Sequence, residues 1–340
     1  MKIDELSHPD SVWTYKSSAR SGKVSVWLPY LQEIKKEKAK NTYLAVYRGG
    51  MLSLNLAKID CVMIYGAVGS LPVDFLDALG QHRIPLIIHR RNLSNPYCFL
   101  PARRADEKDM LTRQVLCREN QIRRVYIART LIRERVKSFA HIMPPQIAML
   151  SALKRARSIA EARNIEAQCS RRYWTRYYAE CGVEGVSRRD KKHPINQALN
   201  ACSVFLSGVI LRWLLLHRLA PTHGFLHEPS GYPALVYDLM EPARYWLECA
   251  TLRAVREADD EEKYTGYALQ TLKDMMDDVI YIPATRQHVR RKSMAHGMVL
   301  ALRAYLVGDM RRLVLPVEGE KAAGRPLKVS YRLPGGVPQA

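Results

Sequence analysis

Between residue 41 and about residue 100 the apolar positions fall in short runs bounded by Gly, Pro and Asn, which is the spacing of strands. Tyr43-Leu44-Ala45-Val46-Tyr47 is rich in aromatic and β-branched side chains and runs straight into Gly49-Gly50. Ala57 to Tyr65 and Ile84 to His89 repeat the pattern. One helix interrupts them, because Pro72-Val73-Asp74-Phe75-Leu76-Asp77-Ala78-Leu79 has helical spacing, a proline in its first turn and Gly80 as a stop. Residues 1 to about 40 are mixed and charged, and Lys35-Lys36-Glu37-Lys38 reads as a solvated face or loop.

From about residue 105 the apolar period changes to three and four. Leu111, Val115, Ile122, Val125, Leu131, Ile132 and Val136 form an apolar stripe over Asp109 to Phe139, with arginines between them, so one long helix or two with a basic outer face is predicted. Pro144-Pro145 ends it. Further helices are predicted over Gln146 to Glu180, Pro194 to about Leu219, Glu241 to Ala258, Tyr264 to Ile280 and Ser293 to Leu306. The pattern gives an α+β chain: a small β-rich domain over 1–104, a larger all-α domain over 105–320, and a loose basic tail over 321–340.

Charge changes the picture from fold to partner. There are 53 Lys+Arg against 33 Asp+Glu, a formal net charge of +20, and such a surface attracts polyanions. Nucleic acid leads, with a ribosomal or membrane-surface role as the rival. Basic clusters recur: Arg171 and Arg172, then Arg188, Arg189, Lys191 and Lys192 in a loop, then Arg286, Arg290, Arg291 and Lys292. Each alone reads equally as a solvated loop; together they imply backbone contacts that weaken as salt rises. The seven cysteines are odd in number and none is spaced as C-x-x-C, so reduced thiols in a reducing cytoplasm are expected rather than zinc or disulfides. No apolar leader follows Met1. Ala198 to Leu216 is long enough for a membrane span, but Asn200, Ser203 and Arg212 interrupt it and a buried helix is expected, with no membrane association.

The segment GFLHEPSGYPALVYDLMEPAR, residues 224–244, carries the candidate chemistry. Asp238 lies eleven residues after His227, with Gly231 and Pro233 between to turn the chain, and Glu241 lies three after Asp238. With Pro242 starting a helix, that spacing points both carboxylates to one side, so an imidazole and two acids converge. The plainer alternative is that Asp238-x-x-Glu241 is a capping box that needs no metal. Glu166, on a helix with Tyr173 seven residues on, either shares an inward face with that aromatic or is an ordinary surface glutamate.

These residues resemble a family. NIEAQCSRRYW, NQALNACSVFLSGVILRWLL, GFLHE and YDLMEPAR, with Asn196 and Asn200 opening the second block, are similar in type, order and spacing to the CRISPR-adaptation integrase that inserts spacers. The likeness is strong over about residues 105 to 250 and only general in the N-terminal lobe. It implies that Glu166, His227 and Glu241 bind the metal and that Asp238 is the acid beside the site, Glu241 standing where relatives often carry Asp. It implies Arg244 as a further DNA contact. It implies a homodimer whose β-rich domain serves dimerisation and contact with DNA ends, often assembled on a small dimeric partner.

The residue types suit phosphodiester exchange. Carboxylates favour Mg²⁺ and a histidine moves preference toward Mn²⁺. No serine or cysteine nucleophile pairs with a base; Tyr173 leaves a covalent phosphotyrosine route open. The resemblance implies direct attack by DNA 3′-hydroxyls on the backbone, acting on double-stranded and branched DNA. A branched-DNA nuclease without integration and a non-catalytic DNA scaffold are the alternatives.

Overall fold

The computed structural model describes residues 13–16, 23–66, 69–90, 96–101, 108–228, 232–320 and 333. The chain divides between residues 101 and 108 into two compact units. The predicted tail over 321–340 lies outside the described residues except for Leu333.

The first unit is β-rich. A five-stranded sheet has the order β1 (Trp13–Lys16), β2 (Val24–Pro29), β6 (Ile59–Tyr65), β7 (Leu86–His89), β8 (Tyr97–Phe99), with parallel β2–β6 and β6–β7 pairs at its centre. A second sheet is the meander β3 (Leu31–Lys36), β4 (Thr42–Tyr47), β5 (Gly50–Asn55). Helix α1 (Val73–His82) packs its Phe75 and Leu79 into the core formed with Val26, Leu28, Tyr43, Val62 and Ile64. Strands β4, β6 and β7 and helix α1 fall where the apolar runs place them. The helix runs on through Gly80 and stops at Arg83, which takes the left-handed conformation at φ 57°.

Strands β2 and β3 occupy the stretch that reads as mixed and charged. A bulge between Leu31 and Glu33 sets the inward residues Leu31 and Ile34 three apart instead of two, so β3 loses its alternating signature. In β2 the polar Ser25 is fully buried because its hydroxyl donates to Asp60 at 2.8 Å.

The second unit holds nine helices among the described residues: α2 (Met110–Glu119), α3 (Gln121–Ser138), α4 (Ile147–Arg155), α5 (Ile159–Glu180), α6 (Pro194–Leu216), α7 (Ala234–Met240), α8 (Arg244–Glu257), α9 (Tyr264–Met275) and α10 (Arg291–Val307). The long basic stripe is two helices, broken where the Asn120 side chain accepts the Arg123 amide and caps α3. Gln146 to Glu180 is likewise two, with Ser158 capping α5. The stretch predicted as helix through Ile280 ends at Met275, and a hairpin of β9 (Val279–Ile282) and β10 (Gln287–Arg290) follows. Helix α6 has the length and hydropathy of a membrane span, yet 67% of its most apolar window is buried, against α7, α8, α9 and α10. All seven cysteines are free thiols.

One buried ion pair joins α3, α5 and α8. Arg135, 2% exposed, reaches Glu248 with both terminal nitrogens, at 2.9 and 2.6 Å, and Glu248 is fully buried. The Tyr173 hydroxyl of α5 donates to the same carboxylate at 2.7 Å, and the Tyr177 hydroxyl donates to the Glu248 carbonyl at 2.9 Å. The guanidinium lies over the Phe139 and Tyr173 rings, 4.5 and 5.2 Å from their centroids. Burial alone would raise the Glu248 pKa, but Arg135 and the Tyr173 hydroxyl more than reverse this and hold it below the usual carboxylate range.

Removing one partner of such a pair strands a buried charge. Glu248→Gln is therefore expected to lower unfolding free energy by about 3–5 kcal/mol in urea titrations at neutral pH. The pH dependence has a definite sign. A carboxyl whose folded pKa lies below its unfolded value adds stability above the ordinary glutamate range, and this is lost as pH falls through the folded value. Wild type should lose this part of its stability on acidification below about pH 4, and the Gln variant should show a flatter acid limb.

Candidate metal and nucleic-acid site

His227 sits in the loop between α6 and α7, and Asp238 in the last turn of α7 holds that loop in shape. Asp238 is fully buried. Its Oδ2 accepts the backbone amides of Phe225 and, at 3.0 Å, Leu226. Its Oδ1 accepts the His227 amide at 3.0 Å and His227 Nδ1 at 2.7 Å. Four N–H donors thus occupy both oxygens, and helix α7 runs through Asp238, which rules out the capping box. Asp238 fixes the His227 tautomer with the proton on Nδ1 and leaves the Nε2 lone pair for a ligand. Burial lowers the imidazole pKa, but the Asp238 bond and the Asp238 and Glu241 charges outweigh both that and the opposing charge of Arg163, so the net shift is upward.

Gly224 makes this cradle possible. A Cβ there would stand 2.9 Å from the His227 carbonyl oxygen, 2.9 Å from the Ala234 Cβ and 3.0 Å from Asp238 Oδ2. Sequence reasoning missed the role of Gly224, although it opens the quoted motif. Gly231 lies outside the described residues.

Glu241 opens a single 3-10 turn, Glu241–Ala243, with Pro242 behind it, and is 8% exposed. It does not point the way Asp238 does. Its Oε1 accepts from Arg244 at 2.8 Å and its Oε2 lies 3.7 Å from Arg135 Nε. Arg135 therefore orients the candidate ligand Glu241 and the buried Glu248 together. Arg135 and Glu248 also escaped sequence reasoning. One arginine in an arginine-rich helix carries no distinguishing mark, but a glutamate amid Trp246-Leu247-Cys249-Ala250 was a visible signal.

Glu166 is half-buried on α5, and the Ser170 hydroxyl donates to its Oε1. Tyr173, seven residues on, is fully buried beneath it. Its ring is fixed by Glu248 and its pKa is driven far up by burial, which makes it a poor nucleophile. Helix α5, which carries Glu166, and the 3-10 turn of Glu241 both pack on α3. The three candidate ligands do not form a ligand sphere: among the described residues no three His, Cys, Asp or Glu side chains stand as a metal-holding group. Glu166 is turned to Ser170, and Glu241 to Arg244. The donor chemistry suits a hard divalent ion, and the carboxylate-oriented imidazole is the arrangement ligand histidines adopt.

The basic clusters divide into two kinds. Arg171 and Arg172 are exposed on α5. Arg189, Lys191 and Lys192 are exposed in the loop before α6. Arg188 is not: it donates to Asn200 at 2.7 Å, lies over Trp174, and is desolvated enough to lower its pKa. Asn196 anchors the same loop, donating to the Ser187 and Asp190 carbonyls at 2.9 and 2.7 Å. The Asn-x-x-x-Asn start of α6 therefore shapes the basic loop. Around β10 the cluster is largely paired within the fold: Arg290 with Asp277 at 2.7 Å, Arg291 with Asp278 and Glu318, and Lys292 with Asp277. Arg286 stands exposed in the hairpin turn. Arg244, paired with Glu241, is about one-third exposed.

The class defined so far is a protein with a β-rich unit and a helical unit, the latter bearing a histidine–carboxylate centre flanked by exposed arginines. The family model described as CRISPR associated protein Cas1 matches residues 31–264. The chain belongs to that family. It is 31% identical over 113 residues to a CRISPR-associated endonuclease Cas1 of Pyrobaculum aerophilum, a match spanning 33% of this chain and 38% of that protein. It is 21% identical over 303 residues to the corresponding protein of Thermotoga maritima, covering 84% and 94% of the two chains. Its fold is shared, at TM-score 0.70 and 18% identity over 88% of this chain and 96% of the other, with a casposase solved bound to an integration product.

Two substitutions test the cradle. Asp238→Asn replaces an acceptor oxygen with a donor against backbone amides. It should weaken Mn²⁺ binding by about 10–100-fold, the range expected when a ligand histidine loses its orienting acid. Gly224→Ala should distort the same loop, and its Mn²⁺ affinity should fall with that of Asp238→Asn while circular dichroism remains that of a folded helical protein.

Proposed function

We propose that this protein is a metal-dependent DNA integrase and endonuclease of CRISPR spacer acquisition. The observation that carries the reading is the Asp238–His227 pair, which presents an imidazole lone pair on a rigid loop inside the family's motif. Glu166, His227 and Glu241 would hold Mg²⁺ or Mn²⁺. When bound, such an ion neutralises charge on the scissile phosphate and on the departing oxygen.

The chain's own residues do the rest. Asp238 keeps His227 in one tautomer and one orientation. Arg135 and Arg244 hold Glu241 in place. Arg171, Arg172, Arg189, Lys191 and Lys192 contact backbone phosphates without reading bases, and Arg188 supports that loop from within. A DNA 3′-hydroxyl attacks phosphorus as one P–O bond forms and another breaks, so the number of phosphodiester bonds is unchanged and no external energy source is needed. Run backward on branched DNA, the same step resolves it. The reading extends to a homodimer acting on double-stranded and branched DNA, assembled with a small dimeric partner protein.

Strand transfer of a labelled duplex into a repeat-containing plasmid tests the proposal. Glu166→Ala should reduce product by at least about 100-fold, since it removes a metal ligand, while DNA affinity stays within about threefold because the phosphate contacts remain. Full strand transfer by the variant would remove Glu166 from the catalytic site, and DNA binding without any strand transfer by wild type would mark a DNA-binding scaffold. Cleavage of branched DNA by wild type without plasmid insertion would mark a resolvase.

A further inference from the structure

A groove of about 750 Å³ opens beside the His227 loop, between the start of α3, the α4–α5 junction and the segment after α10. Six arginines line it, Arg123, Arg124, Arg129, Arg157, Arg311 and Arg312, against a single carboxylate, Glu228. Arg157, Arg311 and Arg312 are exposed and have no carboxylate partner among the described residues. A surface so unbalanced binds anions, and guanidinium groups favour ligands with two oxygens to offer.

Glu228 is placed in an unusual way for an exposed side chain. Arg118 and Arg124 are only 13% and 11% exposed, whereas the Glu228 side chain is 62% exposed. Both arginines are tied to the loop that carries His227. Arg118 Nε donates to the Gly224 carbonyl at 2.9 Å and Arg124 Nε to the Phe225 carbonyl at 3.1 Å. One outer nitrogen of each then reaches the same carboxylate, Arg118 Nη2 on Oε2 at 2.8 Å and Arg124 Nη2 on Oε1, while Arg118 Nη1 donates to Glu119 at 3.1 Å. Two largely buried guanidinium groups thus grip the two oxygens of one exposed anion, one residue from His227. The two non-bridging oxygens of a phosphodiester present the same pattern.

We propose that Glu228 stands in for a DNA strand phosphate on the Arg118–Arg124 clamp, and that an incoming single-stranded DNA end displaces it to seat its backbone in the arginine groove beside His227. The inference rests on the DNA reading above and adds to it a docking site with a built-in competitor. Displacement makes the clamp selective: a weak or isolated anion does not outcompete an intramolecular carboxylate, whereas a strand that also meets Arg157, Arg311 and Arg312 does.

Fluorescence anisotropy with a labelled single-stranded oligothymidine of about 12 nucleotides, titrated at several NaCl concentrations, tests this. Glu228→Gln keeps the shape and removes the charge. It should bind about 5–30-fold tighter than wild type at low salt, and its log–log salt slope should steepen by about 0.7 for each phosphate gained. Arg157→Ala should weaken wild-type binding and flatten the slope. If Glu228→Gln lowers the thermal midpoint, Glu228→Asp decides the matter: affinity between wild type and Gln supports displacement, and affinity at or below wild type overturns it. A wild type that binds the strand and gains nothing from Glu228→Gln overturns this inference alone. A wild type that binds no strand at all also overturns it, and the integrase reading falls only if plasmid strand transfer is absent as well.

Discussion

Arg135 is a permanent cation in a place without water, and the helical unit is arranged around satisfying it. A guanidinium buried to 2% exposure must be matched by an anion or it destabilises the fold by several kcal/mol. Glu248 of α8 supplies the match face to face, Glu241 flanks it at 3.7 Å, and Tyr173 of α5 completes the shell from the third side. Because these partners come from separate helices, the ion pair sets how α3, α5 and α8 meet. It also sets where Glu241 stands. A candidate metal ligand is thereby aimed by the same contact that fixes the core, which explains why an element so expensive to desolvate sits here rather than a leucine.

Asp238 plays the corresponding part for the loop. A carboxylate with four N–H donors has no capacity left to act as a ligand itself, and its effect passes through His227. The short distance in sequence between His227 and Asp238 is used to build one rigid turn, with Gly224 giving up its side chain to make room. Asp238 and Arg135 thus act as positioning groups, the one for His227 and the other for Glu241.

Much of the fold was legible because apolar spacing reports burial directly. Strands β4, β6 and β7 and the helix boundaries at Pro194 and Gly308 follow from runs, caps and stops that act locally, whereas the break at Ser158 inside Gln146–Glu180 did not show. What escaped reading depended on contacts distant in sequence. Strand β3 hid behind a bulge, and the β9–β10 hairpin behind an apolar stretch continuous with α9. Among the arginines, charge alone could not separate Arg189, which is exposed, from Arg291, which is buried against Asp278 and Glu318. The different partners of Asp238 and Glu241 needed coordinates, since both are acids on one short segment and nothing in their spacing separates them.

Metal dependence requires a helix glutamate, a loop histidine and a 3-10-turn glutamate to share one divalent ion. Mn²⁺ binding followed by electron paramagnetic resonance addresses this without relying on activity. One site per chain in wild type, weakened by about tenfold or more in each of Glu166→Gln, His227→Ala and Glu241→Gln, is the result expected when all three donate to the same hard cation. Wild-type binding that none of the three substitutions alters would contradict it.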